Sequence, residues 1–248
     1  MQHISKLYGD IAGRTALVTG GGSGLGEMMA TALVQNGCNV IIASRKEKQL
    51  KEVSERLTKE GPGSCQYIIA DLGTAEGCNK LVEEVKKRVS KLHILVNNSG
   101  TTWGAPFDGN FPEKQGWQRV MSTNVQAVFY LTAGLTPLLA KDADNINPGR
   151  VIVISSVAGL ATSPYDSGLS DAGAGLWSYN ASKAAANSLT KNLATTLGGK
   201  CITVNAILPG IYPSKMTAFG MQKNGDKMAA SHPMGRFLLL VYTAKQNH

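Results

Sequence analysis

Short apolar runs alternate along this chain with longer segments whose apolar positions recur every three or four residues. The runs read as strands buried on both faces, and the recurring segments as amphipathic helices. Strands are expected over Arg14–Thr19, Cys38–Ala43, Gln66–Ala70, His93–Val96, Arg150–Ile154 and Cys201–Ile207. The first helix runs from Gly24 to Asn36, with Gly37 as its stop. Lys46–Lys59 carries Leu50, Val53 and Leu57 at helical spacing, and Gly61-Pro62-Gly63 ends it. Thr74–Ser90 carries Leu81, Val82, Val85 and Val89, Glu113–Leu139 forms a long helix, and Tyr179 opens an Ala-rich one. Strands alternating with helices imply parallel pairing through right-handed crossovers, hence one α/β domain of doubly wound type.

Such a domain needs a sizeable core, and 248 residues with 43% hydrophobic content supply it. The net charge of +8 comes from Lys and Arg spread through the helical segments, as in Arg45-Lys46-Glu47-Lys48 and Lys86-Lys87-Arg88. Spread in this way they read as solvated helix faces, not as a nucleic-acid surface. A basic balance also suits an anionic cofactor. Cys38, Cys65, Cys78 and Cys201 form no CxxC pair and read as buried thiols of a reducing compartment. His3, His93, His232 and His248 lack metal-ligand spacing, so no metal is expected. No apolar run approaches the ~20 residues of a membrane span, and no signal stretch opens the chain. A cytoplasmic protein without membrane or nucleic-acid partners is expected.

Ligands of doubly wound sheets bind at the carboxyl ends of the strands, so the residues there carry the chemistry. The first strand runs into Thr19-Gly20-Gly21-Gly22-Ser23-Gly24-Leu25-Gly26. Gly20 and Gly24 admit backbone angles closed to other residues, and Gly26 lets the following helix approach the sheet. The free N–H groups and positive end of that helix suit a pyrophosphate. The second strand ends in Ser44-Arg45-Lys46. An acid there would take the ribose hydroxyls of NAD. Arg45, with Lys46, suits the 2′-phosphate of NADP(H), the other reading being that Arg45 begins a charged helix face. Asp71, before Leu72, suits either an adenine amino group or a cap on the next turn. Asn97-Asn98-Ser99-Gly100 suits either a tight turn or amide groups beside the cofactor ribose. Asn124 lies inside an apolar helical pattern, where a buried amide needs partners. The fifth strand ends at Ser155-Ser156, and Tyr179 and Lys183 share one helical face.

In order and spacing, Thr19-Gly20-x-x-x-Gly24-x-Gly26, Asp71, Asn97-Asn98-x-Gly100, Asn124, Ser156, Tyr179-x-x-x-Lys183 and Pro209-Gly210 resemble the short-chain dehydrogenase/reductase family over residues 10–236. The resemblance implies a Rossmann-type fold in a single domain spanning 1–248, with substrate loops at 161–178 and 211–235. It implies that Tyr179 protonates a carbonyl oxygen as hydride arrives from the nicotinamide. Lys183, with the cationic nicotinamide ring of the oxidised cofactor, would lower the phenol's pKa from about 10, and Lys183 would also hold the ribose hydroxyls. Ser156 would orient the carbonyl oxygen, and Asn124 would anchor a water linking Lys183 to solvent. Cofactor contacts would come from Gly20, Gly22, Ser23, Gly24, Leu25, Gly26, Ser44, Arg45, Lys46, Asp71, Leu72, Asn98, Ser99, Gly100, Tyr179, Lys183, Pro209, Gly210, Ile211 and Thr217. The segments Pro213–Thr217 and Pro233-Met234-Gly235-Arg236 are similar to NADPH reductases of the 3-oxoacyl and rhamnolipid-pathway type.

Two stretches depart from the family. Ser156 and Tyr179 are separated by a long Gly- and Ser-rich loop, in which Tyr165, Leu169, Leu176 and Trp177 are candidates to line the entrance. Beyond Arg236 the chain runs through the apolar Phe237–Tyr242 to His248, where the family has a helix and a last strand. A missing or replaced last strand is expected, with the sixth strand as an edge. The family commonly forms homo-oligomers through that region, so the altered tail bears on assembly. The expected function is NADPH-dependent reduction of a ketone, with a 3-oxoacyl thioester as one substrate class. The alternatives are oxidation of an alcohol or sugar alcohol, and a nucleotide-binding protein impaired by its altered end.

Overall fold

The computed structural model describes residues 11–108, 111–165 and 174–212, together with 218, 222–223, 225–226 and 229. Six strands form one parallel sheet: β1 (Thr15–Thr19), β2 (Asn39–Ser44), β3 (Ser64–Ile69), β4 (Ile94–Asn97), β5 (Gly149–Ile154) and β6 (Ile202–Ile207). Their order across the sheet is β3-β2-β1-β4-β5-β6. The order reverses between β1 and β4, which pair as Ala16↔Ile94, Leu17↔Leu95 and Val18↔Val96. A crevice therefore opens at the carboxyl ends of these two strands.

Helices α1 (Gly24–Gln35), α2 (Glu47–Glu60) and α3 (Ala75–Arg88) connect the first four strands. The next connection is one continuous helical run. It begins with a wide π-wound stretch, π1 (Glu113–Gln118), then α4 (Arg119–Met121), a second wide stretch π2 (Ser122–Gln126), and α5 (Ala127–Ala140). The run matches the long helix expected at Glu113–Leu139, but its two π-wound stretches had no signature in the apolar pattern. A 3-10 turn (Val157–Leu160) follows β5, and α6 (Trp177–Gly198) leads into β6.

Both sheet faces are covered, as the unbroken apolar strands require. Alternate strand residues serve opposite cores: Ala16 and Val18 pack with Ala30 and Val34 of α1 and Leu50, Val53 and Leu57 of α2. Leu17 joins Leu81 and Val85 of α3, Leu131 and Leu135 of α5, and Leu193 and Leu197 of α6. Helix ends follow their local chemistry. Thr74 caps α3, its hydroxyl accepting from Gly77 N at 3.0 Å. Gly37, at φ +86°, turns the chain out of α1.

Cys38, Cys65 and Cys78 are buried free thiols as expected, whereas Cys201 is half-exposed in the turn before β6. Cys78 lies in α3. Burial pushes the Cys65 thiol up to about 12 and the Cys78 thiol up to about 11. Among the described residues no helix is long and apolar enough to cross a membrane. In the described sheet β6 is an edge. The expectations for the 237–248 tail, Pro213–Thr217, Pro233–Arg236 and Leu169 lie outside the described residues.

Candidate active site

The crevice is a cleft of about 750 Å³. Every site residue expected from the sequence lines it, apart from Asn124, which stands behind it, and Thr217, which lies outside the described residues. The cleft therefore gathers Gly20, Gly22–Gly26, Ser44–Lys46, Asp71–Leu72, Asn98–Gly100, Ser156, Tyr179 with Lys183, and Pro209–Ile211 from seven separate stretches of chain.

At the floor, Gly20 (φ +66°) and Gly24 (φ +55°) take left-handed backbone angles. A Cβ at Gly26 would overlap the Gly20 carbonyl, so only glycine lets α1 start this close to β1. The N-cap residue Ser23 makes no side-chain capping bond. The first-turn N–H groups of α1 are thus left without a capping side chain. Thr19 ties the floor to β4: its hydroxyl accepts from Asn98 N and Ser99 N, both at 2.9 Å, and donates to Val96 O at 3.3 Å. The Asn98 amide donates to Thr19 O at 2.8 Å and to Gly20 O at 3.5 Å. The side chain thus braces the glycine turn while Asn98 also lines the cleft.

One wall carries Ser44, Arg45 and Lys46 at the tip of β2, and both cations are exposed. Asp71, at the tip of β3, caps its own turn, Oδ1 accepting from Gly73 N at 3.0 Å. It also meets Arg119 of α4, with Nη2 to Oδ1 at 2.8 Å and Nη1 to Oδ2 at 3.3 Å. Burial pushes the Asp71 carboxyl up. The Arg119 and Gly73 hydrogen bonds, with the charges of Arg119 and Arg45, outweigh that and hold it below the usual carboxylate range. Sequence reasoning missed Arg119 and Thr123, which line the same wall. Their i, i+4 spacing just ahead of Asn124 was the available signal.

The far end holds the titratable groups. Ser155 and Ser156 point apart: Ser155 Oγ donates to Lys183 O at 3.2 Å, while Ser156 hydrogen-bonds the Tyr179 phenol. Ser156 Oγ also accepts from Ala158 N at 3.1 Å, which leaves its own proton to donate. Lys183 Nζ donates to Ile154 O at 2.9 Å and lies 5.6 Å from the centre of the Tyr179 ring. Burial pushes Lys183 down to about 8. Burial also pushes the Tyr179 phenol above its ordinary value, and the Ser156 bond offsets part of that. In the polypeptide alone, desolvation of the phenolate dominates.

Asn124, in π2, is buried and fully engaged. Its Oδ1 accepts from Thr101 N at 2.8 Å, and its Nδ2 donates to Thr101 O and to Ser182 Oγ, both at 2.9 Å. Ser182 Oγ donates in turn to Tyr179 O at 2.7 Å. In the polypeptide the amide therefore braces the loop after β4 and the first turn of α6. Trp177 and Tyr165, expected at the entrance, are not among the residues that line the cleft; Trp177 packs between Phe107 (ring centres 4.8 Å apart) and Tyr165 (5.4 Å). Leu176, expected there too, is only 1% exposed and belongs to the interior. Ala161, Ser163, Asn180 and Tyr212 line the cleft near this end.

Comparison with known proteins agrees with this arrangement. The profile of the short chain dehydrogenase family matches residues 14–224. The rhamnolipids biosynthesis 3-oxoacyl-(acyl-carrier-protein) reductase of Pseudomonas aeruginosa is 40% identical over 232 residues, covering 93% of this chain and 86% of that protein. The 3-oxoacyl-(acyl-carrier-protein) reductase FabG of Staphylococcus aureus is 32% identical over 226 residues, covering 90% and 85%. Among solved structures, the Pseudomonas aeruginosa RhlG/NADP active-site complex superposes with a TM-score of 0.83 at 39% identity, covering 93% of this chain and 86% of that one. With the fold, the cleft and a match to most of its length in agreement, the chain belongs to the short-chain dehydrogenase family.

Proposed function

We propose that this chain is a cytoplasmic NADPH-dependent ketoreductase whose substrate class is a 3-oxoacyl thioester. The observation that carries the reading is the meeting of the Tyr179 phenol and the Ser156 hydroxyl at the end of the cleft, with the Lys183 ammonium 5.6 Å from the phenol ring. The printed functions of the relatives from P. aeruginosa and S. aureus support the substrate class. The buried free thiols support a reducing compartment.

The cleft suits NADP(H) by its own chemistry. The uncapped start of α1 and the glycine turn suit a pyrophosphate, and the exposed Arg45 and Lys46 suit a 2′-phosphate. When bound, the reduced nicotinamide supplies the hydride. Ser156 donates a hydrogen bond to the ketone oxygen and orients it. Tyr179 gives its proton to the same oxygen as negative charge develops there. Lys183, largely protonated at pH 7 with a pKa of about 8, then stands beside the phenolate that remains. Asn124, through Ser182 and Thr101, keeps Tyr179 and the β4 loop in register. Residues 161–178 and 211–235 would shape the substrate side.

The test pairs a fluorescence titration of the purified protein, NADPH against NADH, with turnover of an acetoacetyl thioester. NADPH is expected to bind at least about tenfold more tightly than NADH, a difference of about 1.4 kcal/mol. Tyr179→Phe is expected to retain NADPH binding and to lose at least about a hundredfold in kcat, the general acid being gone. Full turnover in Tyr179→Phe would overturn the assignment.

A further inference from the structure

Arg119 has no part in the reaction described above, yet it is held in a fitted place. It crosses from α4 to the tip of β3 and grips both oxygens of Asp71, at 2.8 Å and 3.3 Å. A Cβ at Gly73 would overlap the Arg119 Cζ, Nη1 and Nε, so the planar guanidinium lies against backbone that only glycine leaves bare. One helical turn further on, Thr123 is 8% exposed and lines the same cleft, and its hydroxyl has no hydrogen-bond partner among the described residues. A buried hydroxyl without a partner, on the face that carries Arg119, points to a ligand group on that wall.

We propose that Arg119 is a positioning residue for base recognition: held flat on Gly73, it fixes Asp71 so that the carboxylate selects a base carrying an exocyclic amino group, as adenine does. The inference rests on the reading of the cleft as an NADP(H) site. A carboxylate offers about four acceptor positions. Oδ1 uses both of its positions, on Arg119 Nη2 and Gly73 N, and Oδ2 uses one, on Arg119 Nη1. One acceptor position on Oδ2 remains. A fixed acceptor takes an N–H of an amino group and meets a 6-oxo group with like polarity. Freed of Arg119, the carboxylate can rotate away from that group, and the discrimination fades. The same guanidinium joins the base-recognition end of the cleft to the helical run that carries Asn124.

Steady-state kinetics with NADPH and with its hypoxanthine analogue, reduced nicotinamide hypoxanthine dinucleotide phosphate, test this directly. The wild-type protein is expected to show a KM about tenfold lower for NADPH, about one charge-assisted hydrogen bond. In Arg119→Met the ratio is expected to fall below about threefold, through a rise in the NADPH KM rather than a loss of kcat. Gly73→Ala, which displaces the guanidinium from the other side, is expected to do the same, and the double variant to add nothing further. Arg119→Lys, with a single point charge, should recover only part of the ratio. A merely structural role would lower turnover with both cofactors equally and leave the ratio at its wild-type value. That result, or a wild-type ratio near one, overturns the inference while NADPH turnover still upholds the reductase. No NADPH binding by the wild-type protein overturns both.

Discussion

Lys183 Nζ sits almost out of reach of water, hydrogen-bonded to Ile154 O at 2.9 Å. Its pKa falls from the ordinary 10.5 to about 8 because burial disfavours the charged form. The folded protein therefore binds this proton less tightly than the unfolded chain does. The resulting penalty is complete below pH 8 and fades as pH rises from about 8 to about 10.5. Its size is on the order of 3 kcal/mol at pH 7, partly offset by the Ile154 bond, worth about 1 kcal/mol. Lys183→Met keeps the stem and removes the charge. It is expected to be more stable than wild type at pH 7 by about 1–2 kcal/mol, with that advantage shrinking toward pH 10, and to lose turnover. Urea unfolding at the two pH values, beside a turnover assay, checks both halves. A variant less stable by the same margin at both pH values would contradict the account.

At the scale of elements, the cleft depends on how the tips of β1 and β4 are joined. Three hydrogen bonds meet at the Thr19 hydroxyl, which is 1% exposed. Thr19→Val conserves shape but leaves Ser99 N without its acceptor and Asn98 N with only Val96 O, at 3.1 Å. It is expected to cost about 2 kcal/mol and to weaken NADPH binding, because the brace under the glycine turn loosens with it. Denaturant unfolding and an NADPH titration of the variant read the two effects. Much of this arrangement was legible in the sequence. Unbroken apolar runs identify the strands, a glycine turn identifies the start of α1, and Tyr179 with Lys183 four residues later identifies one face of α6. What escaped depends on a side chain crossing to a distant element. Arg119 meets Asp71 across 48 positions, and Asn98 turns toward Thr19 across 79. Local periodicity tells which face a residue occupies, not which distant partner it finds there. The π-wound turns around α4 escaped for a related reason: their wider winding answers to packing and leaves the apolar pattern unchanged.

Across the whole molecule, the parallel sheet separates chemistry from charge. The carboxyl ends of the strands carry the cleft, while their amino ends carry a basic group of side chains around His93. His93 Nδ1 accepts the Thr15 N–H at 3.0 Å, where β1 begins beside β4. Burial, then the charges of Lys91, Arg14 and Arg150, hold the imidazole below its ordinary value of 6.5. Asp144 on the neighbouring loop is already engaged by the N–H groups of Ile146 and Asn147. A proton on Nδ1 would remove the acceptor and add a fourth cation to this end of a chain whose net charge is already +8. The folded state binds that proton less readily than the unfolded chain. Stability is therefore full above about pH 6.5 and is lost as pH falls from there through the folded-state pKa. Asp71, held below the usual carboxylate range, responds only at lower pH. The midpoint of urea unfolding is accordingly expected to be flat from pH 7 to 6.5 and to fall between pH 6.5 and 5. His93→Gln, which does not titrate, should flatten that fall. Because His93 lies at the opposite end of the sheet from Tyr179, NADPH affinity per folded molecule should stay constant over the same range. A parallel drop in affinity would mean that the two ends of the sheet are coupled more tightly than the separation of their contacts implies.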